Sequence, residues 1–135
     1  MTRFRQSDEA YYMSGGCPYF AIAAHRITKW PLAILVDEAS EREFFGDREY
    51  STIAHVFVVS PDGDAFDVKG MRSIQAVKGE FRDLIRKWKP NDPIKLSVQM
   101  VSLKELRSLM RGPLSRYDAE EVREAEDIIN GLFLR

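Results

Sequence analysis

Cysteine is almost absent from this chain: Cys17 is the only one in 135 residues. One thiol cannot build an intramolecular disulfide framework or a Cys-rich zinc site. Histidine is nearly as scarce, with His25 and His55 alone. No apolar run reaches the roughly 18 residues of a membrane span. The opening "MTRFRQSDEAYYMSGG" lacks the apolar core of a secretory signal. Neither charge dominates: 20 Lys and Arg stand against 21 Asp and Glu, a formal net charge of −1. That excludes the global basic excess of many nucleic-acid binders and the acidic excess of a disordered chain. Internal repeats and low-complexity segments are lacking too. These absences point to a cytoplasmic protein in a reducing compartment, with no membrane segment.

What is present suits one globular domain over residues 1–135. Apolar residues make up 44% and charged residues 30%, ordinary values for a domain with a single core. Residues 18–29 are predicted as a helix, with Phe20, Ala21, Ala24 and Ile27 at helical spacing and Pro31 as the stop. "LAILV", Leu32 to Val36, reads as a buried strand. "AHVFVVS" and "AFDVKG" flank "PDGD" and read as a hairpin. Residues 73–88 read as an amphipathic helix with Ile74, Val77, Phe81, Leu84, Ile85 and Trp88 inward. "IKLSVQMV" alternates as a strand. Short and longer helices follow, the last over 118–130 with Val122, Ala125, Ile128 and Ile129 on one face. The order predicts an α+β fold: an N-terminal helix carrying the cysteine packed on a small antiparallel sheet, with C-terminal helices.

Cys17 sits where chemistry is favoured. Pro18 suits the first helical position, which makes Cys17 the N-cap. Free backbone N–H groups and the positive end of the helix dipole then face the sulfur and favour thiolate. The same N–H groups suit a developing oxyanion. Gly15 and Gly16 allow a substrate backbone to approach. The plain alternative is a small buried hydrophobe beside a tight turn.

A nucleophilic thiol needs a base. His25 lies eight residues further along and about 80° round the helix from Cys17; it reads as a half-exposed helix residue. His55 opens an apolar strand, either as a base or as a strand-end histidine bound to backbone. The turn "SPDG" decides which acid can orient it. Pro61 favours a type I turn, with Gly63 left-handed and a three-residue loop. Ser60 then pairs with Asp64, Phe57 with Asp67 and His55 with Lys69. His55 and Asp67 share a face as diagonal neighbours, about 7–8 Å apart at the backbone. A two-residue loop, Asp62-Gly63, would instead send Asp67 to the opposite face.

Other groups carry two readings each. Phe44 and Phe45 anchor a charged loop or form a substrate lip. Asp62 and Asp64 read as turn residues, and Glu80 and Asp83 as solvated helix charges. Lys69, Arg72, Lys78, Arg82, Arg86, Lys87 and Lys89 form a basic stripe, read as the solvated face of a helix rather than a nucleic-acid site.

"GGCPYFAIAAHRITKWP" followed by "AHVFVVSPDGDAFDVKG" resembles the papain-like and transglutaminase-like cysteine superfamily, over residues 14–70. The block also looks like small proteins of bacteria and their phages. In that superfamily a Cys at a helix N-terminus precedes a His on one strand and an Asp or Asn on the next. The resemblance implies Cys17 as nucleophile, His55 as general base and Asp67 as orienter, acting on a protein or peptide substrate through an acyl-enzyme. No cofactor and no metal is implied. Pro18, not Trp, follows the cysteine, and Gln6 is only a distant candidate for an upstream oxyanion donor. The expectation is a thiol acyl-transfer enzyme with a Cys17 thiolate at neutral pH in contact with the imidazole. The alternative is a non-catalytic binding module or inhibitor on the same fold.

Overall fold

The computed structural model describes residues 12–13, 17–39, 53–109 and 116–133. Helix α1 spans Cys17–Thr28, and strands β1 to β4 span Leu32–Asp37, Ile53–Val59, Ala65–Asp67 and Gly70–Arg72. Helix α2 (Ile74–Trp88), strand β5 (Leu96–Val101) and helices α3 (Leu103–Leu109) and α4 (Arg116–Phe133) complete the order. The fold is α+β, with the Cys17 helix packed on an antiparallel sheet and helices at the C-terminal end, as expected. Strand order is β4-β3-β2-β1-β5.

Two cores lie on the two faces of the sheet. On one face Phe20, Ala21 and Ala24 of α1, Leu106 of α3 and Val122, Ala125, Ile128 and Ile129 of α4 pack on Leu32, Ile34, Val56, Val58 and Phe66. On the other, Val77 and Phe81 of α2 cover Ala33, Leu35, Phe57 and Ala65. This explains the unbroken apolar run of "LAILV". Strand β1 lies between β2 and β5 with helices on both faces, so all six residues are buried. Successive side chains point to opposite faces, and here both faces are dry.

Helix α1 closes with a left-handed residue. Lys29 has φ 65, and its N–H donates to the carbonyl of His25 at 2.9 Å. That satisfies one of the orphan carbonyls at a helix C-terminus. Trp30 and Pro31 then lead into β1.

The β2–β3 hairpin has the three-residue loop that Pro61 favours. Gly63 donates its N–H to the Ser60 carbonyl at 2.9 Å, and Ser60 donates to the Asp64 carbonyl at 2.8 Å. Gly63 has φ +87, a left-handed conformation that costs a residue with a Cβ. Val58 faces Phe66 and Val59 faces Ala65, the register that puts His55 and Asp67 on one face.

Two expectations need correcting. "AFDVKG" is not one strand, and the His55–Lys69 pair does not form. The chain turns at Val68 and Lys69 into β4, with Asp67 opposite Gly70. The Asp67 Oδ1 accepts the Lys69 N–H at 2.9 Å and Gly70 has φ +95, so a side-chain-closed turn overrides the alternating pattern. Leu84 and Trp88 do not point inward either; they are 41% and 86% exposed. Fifteen residues make roughly 22 Å of helix. Val77 and Phe81 are buried in the core on that face, Ile74 and Ile85 pack against it half-buried, and Leu84 and Trp88 lie beyond its cover.

Gly63→Ala is expected to cost about 1–2 kcal/mol. Urea unfolding should show a lower midpoint with an unchanged slope; an unchanged midpoint would refute the left-handed requirement at this turn.

Candidate active site

The hairpin brings two of the three expected residues into direct contact. His55 Nε2 lies 2.9 Å from Asp67 Oδ2, and both side chains are buried, at 0% and 2% exposure. A carboxylate only accepts, so Nε2 carries the hydrogen that points at it. The imidazole stacks on Phe57 and Phe81, with ring centroids 5.8 and 4.6 Å away. Its other nitrogen, Nδ1, is buried and has no hydrogen-bond partner among the described residues. Such an atom is uncommon in a folded protein and calls for an explanation.

Asp67 is held by more than His55. Arg72 Nη2 donates to the same Oδ2 at 2.8 Å, and Oδ1 takes the Lys69 N–H. Burial alone would raise the Asp67 carboxyl. The His55 hydrogen bond and charge, the Arg72 charge and the Lys69 N–H outweigh it and hold the group below its usual range. Arg72 Nη1 in turn donates to Glu80 Oε1 at 2.9 Å, while Lys69 pairs with Glu80 Oε2. Glu80 is therefore no solvated helix charge. Burial would raise its carboxyl too, and the Lys69 and Arg72 contacts lower it.

Cys17 is the first residue of α1 rather than a residue before it, and it is 7% exposed in the core shared with Val56 and Val58. His55 stands on the other face, with Phe57 and Phe81. Cys17 reaches strand β2 at its edge, through the backbone of Val56. Val59 N–H goes to Pro31 on the β1 side and Ser60 N–H to Asp64 on the β3 side. Alternation then sends Val56 N–H toward β3, beyond the last β2–β3 pair at Val58 and Phe66. There the Cys17 sulfur meets it. No hydrogen bond joins Cys17 to His55.

The expected thiolate is overturned. Burial pushes the Cys17 thiol up to about 12, against the lowering effect of the Val56 and Cys17 N–H groups, and the Asp67 charge adds to the rise. The helix N-terminus does act in the expected direction; desolvation is larger.

Elsewhere, His25 donates from Nδ1 to the Trp30 carbonyl at 2.8 Å and takes no part in the site. The basic stripe is largely tied up. Lys69 and Arg72 pair with Glu80, Lys89 with Asp37, and Arg86 with the carbonyls of Lys89, Pro90 and Asp92. Gly15, Gly16, Gln6, Phe44 and Phe45 lie outside the described residues. The sequence reading missed Arg72, Glu80 and Phe81 as site residues. A signal existed: Glu80 and Phe81 fall on adjacent positions one turn past Val77. Among the described residues no helix is long and apolar enough to cross a membrane. Comparison with family models, curated proteins and solved structures finds no match.

Two outcomes follow from these electrostatics. Asp67 is held low when folded, so its contribution to stability is whole above the unfolded carboxyl value. It is lost as pH falls from about 4 through the lower folded value. Asp67→Asn is expected to cost about 3–5 kcal/mol, because it strips Arg72 and His55 of a buried partner. It should also flatten part of the acid limb in urea unfolding between pH 3 and 7; a parallel limb would contradict this. Alkylation of native Cys17 by iodoacetamide should rise about tenfold per pH unit from 7 to 10, with no plateau. A plateau near pH 8 would contradict the burial of the thiol.

Proposed function

We propose that this chain is a thiol-dependent acyl-transfer enzyme that hydrolyses an amide or isopeptide bond of a protein or peptide substrate in the cytoplasm. One observation carries the reading: the buried, unpartnered Nδ1 of an imidazole whose Nε2 is locked onto Asp67. With the hydrogen on Nε2, Nδ1 is a lone pair, the form a general base requires. It lies one residue from Val56, whose N–H faces the Cys17 sulfur.

The high thiol value selects the order of events. Cys17 rests protonated, so no thiolate–imidazolium pair waits for substrate. His55 Nδ1 takes the thiol proton as Sγ attacks the carbonyl carbon, and the carbonyl electrons move onto its oxygen. The imidazolium returns the proton to the leaving amine as the C–N bond breaks. Water, deprotonated by the same nitrogen, then attacks the thioester carbonyl; the C–S bond breaks, the acid leaves and the imidazolium returns its proton to the Cys17 sulfur. Asp67 stays ionised and holds the ring.

The burial of Cys17 favours a second reading, a protein-binding module on which the thiol is packing. Partner capture that survives Cys17→Ala unchanged would support it.

The test is acylation by p-nitrophenyl acetate, read by p-nitrophenol release and intact mass. The wild type should acquire one acetyl group on Cys17, Cys17→Ser none, and His55→Gln one at a rate about 10²–10⁴-fold lower. Equal rates in wild type and His55→Gln would sink the proposal.

A further inference from the structure

Strand β5 ends the sheet order β4-β3-β2-β1-β5, so one of its edges has no partner strand among the described residues. The Glu38 N–H donates to the Lys95 carbonyl at 2.8 Å, which turns Lys95 toward β1. Antiparallel alternation then turns the backbone groups of Ser97, Gln99 and Val101 the same way. The N–H and C=O groups of Leu96, Val98 and Met100 point away from the sheet.

The opposite edge is guarded and this one is not. Strand β4 is only Gly70–Arg72, and it ends on an arginine. Short strands and charge are the usual means of blunting an edge. Strand β5, "LSVQMV", is six residues long and pairs with β1 without a bulge. It carries no charge and no proline. Met100 is 52% exposed, and Gln99 beside it is exposed as well. Leu96 and Val98 lie on the face covered by α2, and alternation puts Met100 there too.

The strand is complementary to itself. A two-fold axis through Val98 sets Val98 against Val98 of a second copy, Leu96 against Met100 and Met100 against Leu96. Each facing pair then exchanges both of its N–H···O bonds, so every outward group of the strand gains a partner. The side chains that meet on the α2 face are all apolar. Lys95 faces Val101, so no like charges oppose each other. Neighbouring registers do worse. An axis through Gln99 sets Leu96 against Ser102, whose N–H is already given to Glu105 Oε1. An axis through Ser97 sets Met100 against Ile94, which precedes the strand. The exposed Trp88 belongs to the Leu96 end, because Lys89 beside it binds Asp37, which faces Leu96. That is the end at which Met100 of the second copy falls.

We propose that the chain self-associates through β5 into a two-fold dimer whose two sheets join as one, with Val98 against Val98. A strand edge is a small interface, so the dimer is reversible. The inference is independent of the acyl-transfer reading.

The experiment is sedimentation velocity of the full chain across concentration, with amide hydrogen exchange at the two extremes. The mass should rise from one chain to two, with a midpoint on the order of 10–100 µM. Exchange at Leu96, Val98 and Met100 should slow as the dimer forms, and exchange at Ser97 and Gln99, bonded to β1, should change far less. Val98→Pro removes an outward N–H and no bond to β1. Met100→Lys puts a charge on an exposed position of the edge. Each should remain a single chain throughout the range with an unchanged circular dichroism spectrum; if Val98→Pro does not fold, Met100→Lys decides. A wild type that stays a single chain at every concentration overturns the inference, and so does a dimer that persists in Met100→Lys. Protection of Leu96, Val98 and Met100 already complete at the lowest concentration also overturns it, since the chain would then cover its own edge.

Discussion

The hydrogen bond between His55 and Asp67 is the constraint around which this fold is arranged. Both groups lie under the surface, and a buried carboxylate is tolerable only when its charge and lone pairs are met. Three features meet them. The "SPDG" turn sets the register that places the two residues diagonally. The Asp67–Gly70 turn brings the Lys69 N–H onto Oδ1 and returns the chain so that Arg72 reaches Oδ2. Helix α2 then supplies Glu80 to Arg72 and Phe81 to the imidazole. A change in any of the three loosens the other two, because they share one carboxylate.

Cys17 shows two electrostatic effects in opposition. At the start of α1 the local N–H groups stabilise negative charge on sulfur. The core that α1 shares with β2 removes the water that would stabilise it further, and the second effect is larger. Position on a helix sets the sign of one contribution, while packing sets the total. The resting thiol is consequently neutral, and the proposed chemistry needs a base with an available lone pair. The unpaired Nδ1 fits that need.

Much of this was legible from local chemistry. Pro61 and Gly63 specify one turn, and that turn specifies the register. Period-2 alternation then places Asp67 with His55 without reference to the rest of the molecule. The apolar faces of α1 and α4 could likewise be read from spacing. What was not legible depended on lengths and neighbours. Leu84 and Trp88 continue the apolar stripe of α2, but nothing local says where the sheet beneath it stops. "AFDVKG" alternates like a strand, while its Asp and Gly also spell a tight turn, and the choice depended on whether the side chain closed that turn.

The sequence alone determined the α+β class, a helix directly after Cys17 and the hairpin that joins His55 to Asp67. Each rests on interactions among residues close along the chain. Only the tertiary structure decided that Arg72, braced by Glu80, and the Lys69 N–H hold the Asp67 carboxylate, that Phe81 covers the imidazole and that burial raises the Cys17 thiol. The physical reason is common to all three. Charge balance and desolvation depend on which groups from distant segments enclose a side chain, and spacing within one segment carries no information about that enclosure.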